Sequence, residues 1–253
     1  MSVLALQLAG PLQSWGSTAR FARRTTENAP TKSGVIGLLA AAQGLERDAD
    51  LSDLAALRFG VRVDQQGTRI RDFQTAHHAE TDDAMPISER YYLSDAVFVA
   101  AVQGEGELIA ELYDAVRAPR FLPYLGRRSC PPSRPVELGV HADADLEDVL
   151  RDEPWRAAAW HQRQRRQEAT VELQVITEPG RGGDSGGSPG DTLRDQPLSF
   201  DPRHRRYALR TLRRATVRVA NPHGRPVHTH TADQRHGAPA HDPTSVLEGA
   251  RCS

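Results

Sequence analysis

Leu8-Ala9-Gly10-Pro11-Leu12-Gln13-Ser14-Trp15-Gly16, followed by Pro30-Thr31-Lys32-Ser33-Gly34-Val35-Ile36-Gly37-Leu38-Leu39, is the stretch from which the fold is read. Val3 to Leu8 alternates as a first strand and stops at Gly10-Pro11, because proline donates nothing to a sheet ladder and glycine lets the chain bend. Thr31 or Ser33 is suited to cap an apolar helix of about a dozen residues. A strand, a loop with Gln13, Trp15, Arg20, Arg23 and Arg24, and a helix start carrying Lys32 together suit an anion. Free amides and the helix dipole favour phosphate there, and guanidinium groups fork onto its oxygens. An ordinary βα unit with solvated arginines fits the same residues.

Working outward, Phe59, Val61 and Val63 alternate with Arg58, Arg62 and Asp64 as a strand, and Gln65-Gln66-Gly67 turns into a partner strand, Thr68 to Phe73. Gln74 to Tyr91 shows no period and reads as a hairpin extension projecting from the body. Leu93 to Val102 is an apolar strand. Leu108, Ile109, Leu112, Ala115 and Val116 share one face of a second helix, which Pro119 ends, and Val136 to Val140 is a short strand. The order β-α-β-(hairpin)-β-α-β predicts an α+β, ferredoxin-like body laid out like the sheet-based RNA-recognition (RRM-like) modules, although their paired aromatic signature is missing. That body is expected over residues 1–145, with the insertion at about 74–91. A β-rich, partly flexible C-terminal region is expected over 146–220. It contains Leu146 to Leu150 as a helical turn, an arginine-rich helix or connector from Trp155 to Glu168, a strand from Val171 to Ile176, a flexible Gly/Pro loop at 179–197 and a strand pair from Tyr207 to Val219. Residues 221–253, rich in proline and histidine, are expected to be a poorly ordered tail.

The net charge of −1 conceals a segregation. Lys32 is the single lysine, and arginine is concentrated in 20–24, 117–134, 156–166 and 203–218, apart from acids at 46–53, 80–89 and 143–153. Such separation favours a polyanion partner over what the total charge suggests. Cys130 and Cys252 stand far apart, which excludes a disulfide framework and a Cys-based zinc site. No metalloprotease helix, phosphate-binding glycine loop or nucleophile elbow occurs, and adjacent His77 and His78 point to opposite strand faces, so no catalytic residue, metal or cofactor is assigned. Met1 to Pro11 lacks the basic start and apolar length of a signal peptide, and no run is long enough to span a membrane; a cytoplasmic location is expected.

The second promising site is Tyr124-Leu125-Gly126-Arg127-Arg128-Ser129. Gly126 allows close backbone approach, Arg127 and Arg128 supply forked donors, Ser129 a hydroxyl and Tyr124 a stacking face, which are the parts used to hold single-stranded RNA. This loop and the Trp15 loop are expected on one surface. Trp15 either stacks or buttresses a base, or lies in the core.

These segments, with Leu57-Arg58-Phe59-Gly60-Val61-Arg62, Arg71-Asp72-Phe73-Gln74-Thr75, Tyr91-Tyr92-Leu93-Ser94-Asp95-Ala96 and Cys130-Pro131, occur in an order that resembles the CasD-type subunit of the type I-E CRISPR surveillance complex, Cascade, within the RAMP superfamily. The match is dense over about residues 1–140. The resemblance implies a non-catalytic subunit that grips the 5′ handle of CRISPR RNA (crRNA), caps the backbone beside its first subunit, touches the large subunit, and meets target DNA only through the complex. Combined with the loop chemistry above, this places the expected RNA contacts at Gln13, Trp15, Arg23, Arg24, Thr31, Lys32, Ser33, Gly34, Tyr124, Gly126, Arg127, Arg128 and Ser129. The resemblance also implies a thumb in the Gln74 to Tyr91 extension, and Met85-Pro86-Ile87, weakly polar within a charged projection, is expected at its tip as an apolar wedge. The competing reading within that superfamily is a metal-independent endoribonuclease that processes CRISPR precursor RNA.

Overall fold

The computed structural model describes residues 1–16, 23–180, 190–201 and 203–225. In chain order the elements are β1 (Ser2–Ala9), β2 (Leu12–Gln13), β3 (Arg23–Arg24), α1 (Lys32–Gln43), α2 (Ser52–Ala56), β4 (Arg58–Gln65), β5 (Thr68–Gln74) and β6 (Ser88–Ser94). They continue as β7 (Val97–Gly104), α3 (Gly106–Arg117), β8 (Glu137–His141), α4 (Leu146–Asp152), α5 (Ala159–Gln164), β9 (Thr170–Thr177), β10 (Asp191–Ser199) and β11 (Arg206–Ala220). The result is a mixed α+β architecture with one large antiparallel sheet, ordered β10-β11-β9-β4-β7-β1-β8.

Every residue of β1 is buried, which explains its nearly continuous apolar sequence. Leu4, Leu6 and Leu8 join Phe98, Ala100 and Val102 of β7 in the core beneath α1 and α3. Val3, Ala5, Val99 and Ala101 face the opposite way and are covered by Leu146, Val149 and Leu150 of α4. The face that sheet-based RNA-recognition modules leave open is therefore filled here by a helix. Local signals set α1: Thr31 accepts from the Gly34 amide at its start, and Gly44, at φ 83°, closes its end.

On β4, Phe59, Val61 and Val63 reach the main core as the alternation predicts, but Arg62 and Asp64 on the other face are also buried. All five N–H groups of Arg62 are used: Nε and Nη2 bind Asp64 at 2.7 and 3.0 Å, and Nη1 and Nη2 reach the carbonyls of Leu150, Glu153 and Pro154 at 2.7–2.8 Å. The Arg156 amide and the Trp155 indole close the other side of Asp64. A buried ion pair thereby clamps the segment that follows α4 onto β4.

Several expectations are corrected. Thr68 to Phe73 does not pair with β4. After Gly67 at φ 70°, β5 leaves the main sheet and pairs with β6, in a small second sheet completed by β2 and β3. Leu93 to Val102 is two strands, because Asp95 takes a left-handed turn (φ 56°) and moves the chain from the small sheet to the large one. Within the hairpin the turn lies at His78 to Asp83, and Met85 is on the returning side, its amide donating to the Ala76 carbonyl. Met85-Pro86-Ile87 is thus displaced from the tip. Tyr207 to Val219 lies in one long strand, β11, paired first with β10 and then with β9. Residues 191–197 of the expected flexible loop form most of β10, while 181–189 lie outside the described residues, as do Arg20 and 226–253 of the expected tail. Because β9 pairs with β4, the C-terminal strands extend the first sheet. No helix among the described residues is long and apolar enough to cross a membrane.

Candidate nucleic-acid interface

Two glycine-containing loops interlock at the end of β1. The Ser133 amide and hydroxyl both donate to the Ala9 carbonyl, at 2.9 and 3.1 Å, and the Ser14 amide donates to Leu125 at 3.1 Å. Gly10 lies against the Pro131 carbonyl, where a Cβ would come within 2.8 Å of the oxygen. Gly126 sits at φ 83° with a Cβ position 1.8 Å from the Ser14 carbonyl oxygen, so no side chain fits there. Leu125 and Cys130 close the loop on itself through Leu125 N to Cys130 O at 2.7 Å and Cys130 N to Arg127 O at 2.9 Å. Arg127, Arg128 and Ser129 are left on its rim.

This rim forms one wall of an open cleft of about 430 Å³. Arg24, Arg47, Arg90, Arg127 and Arg128 line it with Gln74, Tyr124, Gly126 and Ser129, and no carboxylate is among them. Arg127 donates from Nη2 to the Arg24 carbonyl at 2.9 Å and stacks over the Tyr92 ring at 4.8 Å. That contact ties the two loops together and aims the guanidinium. Arg127 Nη1 and Arg90 Nε are buried without a hydrogen-bond partner, as is Arg210 Nη1, which stands outside the cleft lining and 3.7 Å from Glu178. Cys130 is buried beneath the loop, and burial pushes its thiol upward, so it is a packing residue.

The sequence-derived contacts divide into three groups. Arg24, Tyr124, Gly126, Arg127, Arg128 and Ser129 meet in the cleft. Arg23 is exposed on β3, close to Glu89 and donating to the Tyr91 hydroxyl, and does not line the cleft.

Gln13, Thr31, Lys32, Ser33 and Gly34 require correction, and of the two readings of Trp15 the core one holds. Gln13 and Trp15 are fully buried: Gln13 Nε2 donates to the Leu8 and Ala96 carbonyls, and its Oε1 accepts from the Trp15 indole at 3.1 Å. Trp15 is therefore a core residue, and Gly34 is small because a Cβ would stand 2.7 Å from its ring. Thr31 and Ser33 are buried in the helix cap.

At the start of α1 the anion is intramolecular. The Lys32 amide donates to Asp195 Oδ2 at 2.7 Å, and its ammonium binds both oxygens of Glu178 at 3.0 and 3.3 Å. Arg210 grips Asp195 from the other side at 2.6 and 2.9 Å. Burial lowers the Lys32 pKa below its ordinary value, with Glu178 opposing the shift.

Arg47, Arg90 and Gln74 were missed by the sequence reading. Arg47 sits in the charged connector after α1 and Gln74 at the end of β5; only the pairing of β5 with β6 brings Gln74 and Arg90 beside the loop. Met85 and Ile87 are about half exposed on the hairpin, as is Phe73. Among the described residues no cluster of His, Cys, Asp or Glu suits a metal.

The model of the family described as CRISPR-associated protein (Cas_Cas5) matches residues 3–213. The chain is 39% identical over 170 residues to the protein named CRISPR system Cascade subunit CasD of Escherichia coli (strain K12), covering 59% of this chain and 75% of that protein. A solved structure titled "CRISPR RNA-guided surveillance complex" contains a chain 34% identical, with a TM-score of 0.70 and coverage of 86% of this chain and 91% of that one. Another, titled "Crystal structure of Cas protein", is 36% identical with a TM-score of 0.64, covering 88% and 97%. With its interlocked loops and arginine cleft, the chain belongs to the CRISPR-associated Cas5 family.

Proposed function

We propose that this chain is the CasD-type, non-catalytic subunit of a type I-E CRISPR surveillance complex and that its arginine cleft holds the 5′ handle of crRNA. The observation that carries the site is the convergence of five arginines, two of them with unpartnered nitrogens, around a lining free of carboxylates. Family membership supplies the assembly, and the cleft supplies a place for phosphates. Arg127 and Arg128 clamp phosphate oxygens, Arg24, Arg47 and Arg90 hold the flanking backbone, and Tyr124 offers a ring to a splayed base. Guide–target pairing reads sequence, while this subunit reads the constant end.

The finer assignments follow from the same reading. Residues 1–145 are taken as a RAMP body; the order β4-β7-β1-β8, with α1 and α3 sharing a core, supports a ferredoxin-like arrangement. Residues 146–220 are its β-rich extension. The β5–β6 hairpin is the thumb, its exposed Phe73, Met85 and Ile87 offered to the first backbone subunit, with the large subunit on a neighbouring face and the assembly in the cytoplasm.

The nuclease reading, which calls for a tyrosine, lysine or histidine as acid–base group, is disfavoured because the cleft lining offers Tyr124 without a histidine, lysine or carboxylate beside it, and Lys32 is held by Glu178. The test is handle-RNA binding by Arg127→Ala with Arg128→Ala across a salt series, alongside repeat RNA incubated with the protein in EDTA. The double variant loses affinity, and the salt slope flattens by about 1.4, as expected for two lost single-strand phosphate contacts. Unchanged affinity and slope refute the site, and a single metal-independent cut of the repeat refutes the non-catalytic role.

A further inference from the structure

A second basic surface lies apart from the cleft lining. Trp160 on α5 is 56% exposed, whereas Trp15 and Trp155 are buried. Its ring is held edge-on to His161 at 5.4 Å and 88°, and His161 stands edge-on to buried Trp155 at 5.8 Å and 71°. Burial and the neighbouring Arg165 keep His161 below its ordinary pKa, so at neutral pH the ladder is Trp–neutral imidazole–Trp. Ring-on-ring support of this kind fixes a large exposed aromatic in one orientation.

Around it, Arg163 lies one turn along α5, and Arg166 follows in the turn after the helix, its amide donating to the Arg163 carbonyl at 3.2 Å. The Arg225 amide donates to the Arg166 carbonyl at 2.9 Å, which brings a third arginine to the same place. None of these three has a carboxylate in ion-pair reach among the described residues, whereas neighbouring Arg156 and Arg165 are paired with Glu153 and Glu168.

The placement connects this surface with the cleft. Ala9 of β1 pairs with Val97, and Val97 with Gln65 of β4, so these residues mark one end of the large sheet. The loop containing Ser133 is bonded to Ala9 at that end, and the Ala158 amide entering α5 is bonded to Gln65 Oε1 at 3.1 Å. The Thr170–Ala220 pair, from which the chain runs on to Arg225, ends β9 and β11 on the same side.

We infer that Trp160, with Arg163, Arg166 and Arg225, forms a second single-stranded nucleic-acid contact, reached by a strand that leaves the arginine cleft and crosses this end of the sheet. An oriented exposed indole flanked by unpaired guanidinium groups is a sequence-tolerant stacking platform. The inference extends the RNA reading of the cleft, and the two fail separately in the following experiment.

Full-length protein is titrated with single-stranded RNAs that share one 5′ end and increase in length from 8 to 24 nucleotides, and binding is followed by anisotropy and by tryptophan fluorescence. The expected result is quenching only by the longer RNAs, because Trp160 is the exposed indole. Trp160→Ala should weaken the longer RNAs by at least about fivefold and leave the shortest unaffected, with Trp160→Phe restoring part of the loss. Arg127→Ala with Arg128→Ala should weaken every length; failure of that arm alone removes the cleft reading. Equal affinity of wild type and Trp160→Ala for every length, with no quenching, overturns the second contact. So does a variant that binds all RNAs normally but no longer assembles with partner subunits, since that assigns the patch to protein.

Discussion

The start of α1 and the Gly126 loop both offered an anion site, and the molecule treats them in opposite ways. At α1 the amide and ammonium of Lys32 are satisfied by Asp195 and Glu178, brought from β10 and the end of β9. Around Gly126 no acid intrudes, and Arg127 Nη1 and Arg90 Nε remain without acceptors. A buried donor set with its own carboxylate is structure; an open one without a carboxylate is what the proposed RNA site requires. Local motif chemistry is the same in both places, so the decision rests on which distant segment arrives.

The sharpest way to break the contrast is Asp195→Ala. It removes both hydrogen bonds that hold Arg210 and the acceptor of the Lys32 amide in a buried environment, leaving Arg210 only Glu178 at 3.7 Å, and the expected loss is about 3–5 kcal/mol in urea unfolding. RNA affinity of the folded protein stays intact, since Asp195 does not line the cleft. Gly126→Ala comes next: a Cβ 1.8 Å from the Ser14 carbonyl, at φ 83°, costs about 3 kcal/mol and also abolishes RNA binding by displacing Arg127 and Arg128. Both losses should be read together by thermal melting and anisotropy.

A smaller effect concerns thiol chemistry. Cys130 is buried with its pKa raised, so in a Cys252→Ser background alkylation should be slow in the folded chain and accelerate under denaturant, as mass spectrometry would register. The smallest is a pH slope. With the folded Lys32 pKa lowered from 10.5, the unfolded chain holds more protons in the window between the lowered value and 10.5. This group's contribution to stability therefore rises with pH through that window and is lost as pH falls. Lys32→Met should remove the slope from unfolding curves compared over that range.

The sequence is most informative where cause and effect are neighbours. Gly10-Pro11 ending β1, Thr31 capping α1, Pro119 following α3 and the Gly126 turn are each set within a few residues. It is least informative where a partner is remote. Arg62 reads as the solvent face of an alternating strand until residues 150–156 close over it. Trp15 is a stacking candidate until Gln13 and Gly34 are seen against it. Arg47 and Arg90 lie in stretches without a motif, and only the departure of β5 and β6 into their own sheet brings Arg90 opposite Arg127. A glycine marks a turn, but it does not say which arginine will stand across from it.

The bond from Lys32 to Asp195 spans 163 positions. On a ribosome, the leading helix is therefore laid down early and left with a bare amide and an unneutralised ammonium until much of the remaining polypeptide has emerged. Nascent chains stalled short of that point should carry a transient anion-binding spot that the finished protein lacks, and the C-terminal strands act, in time as well as in space, as the latch that retires it.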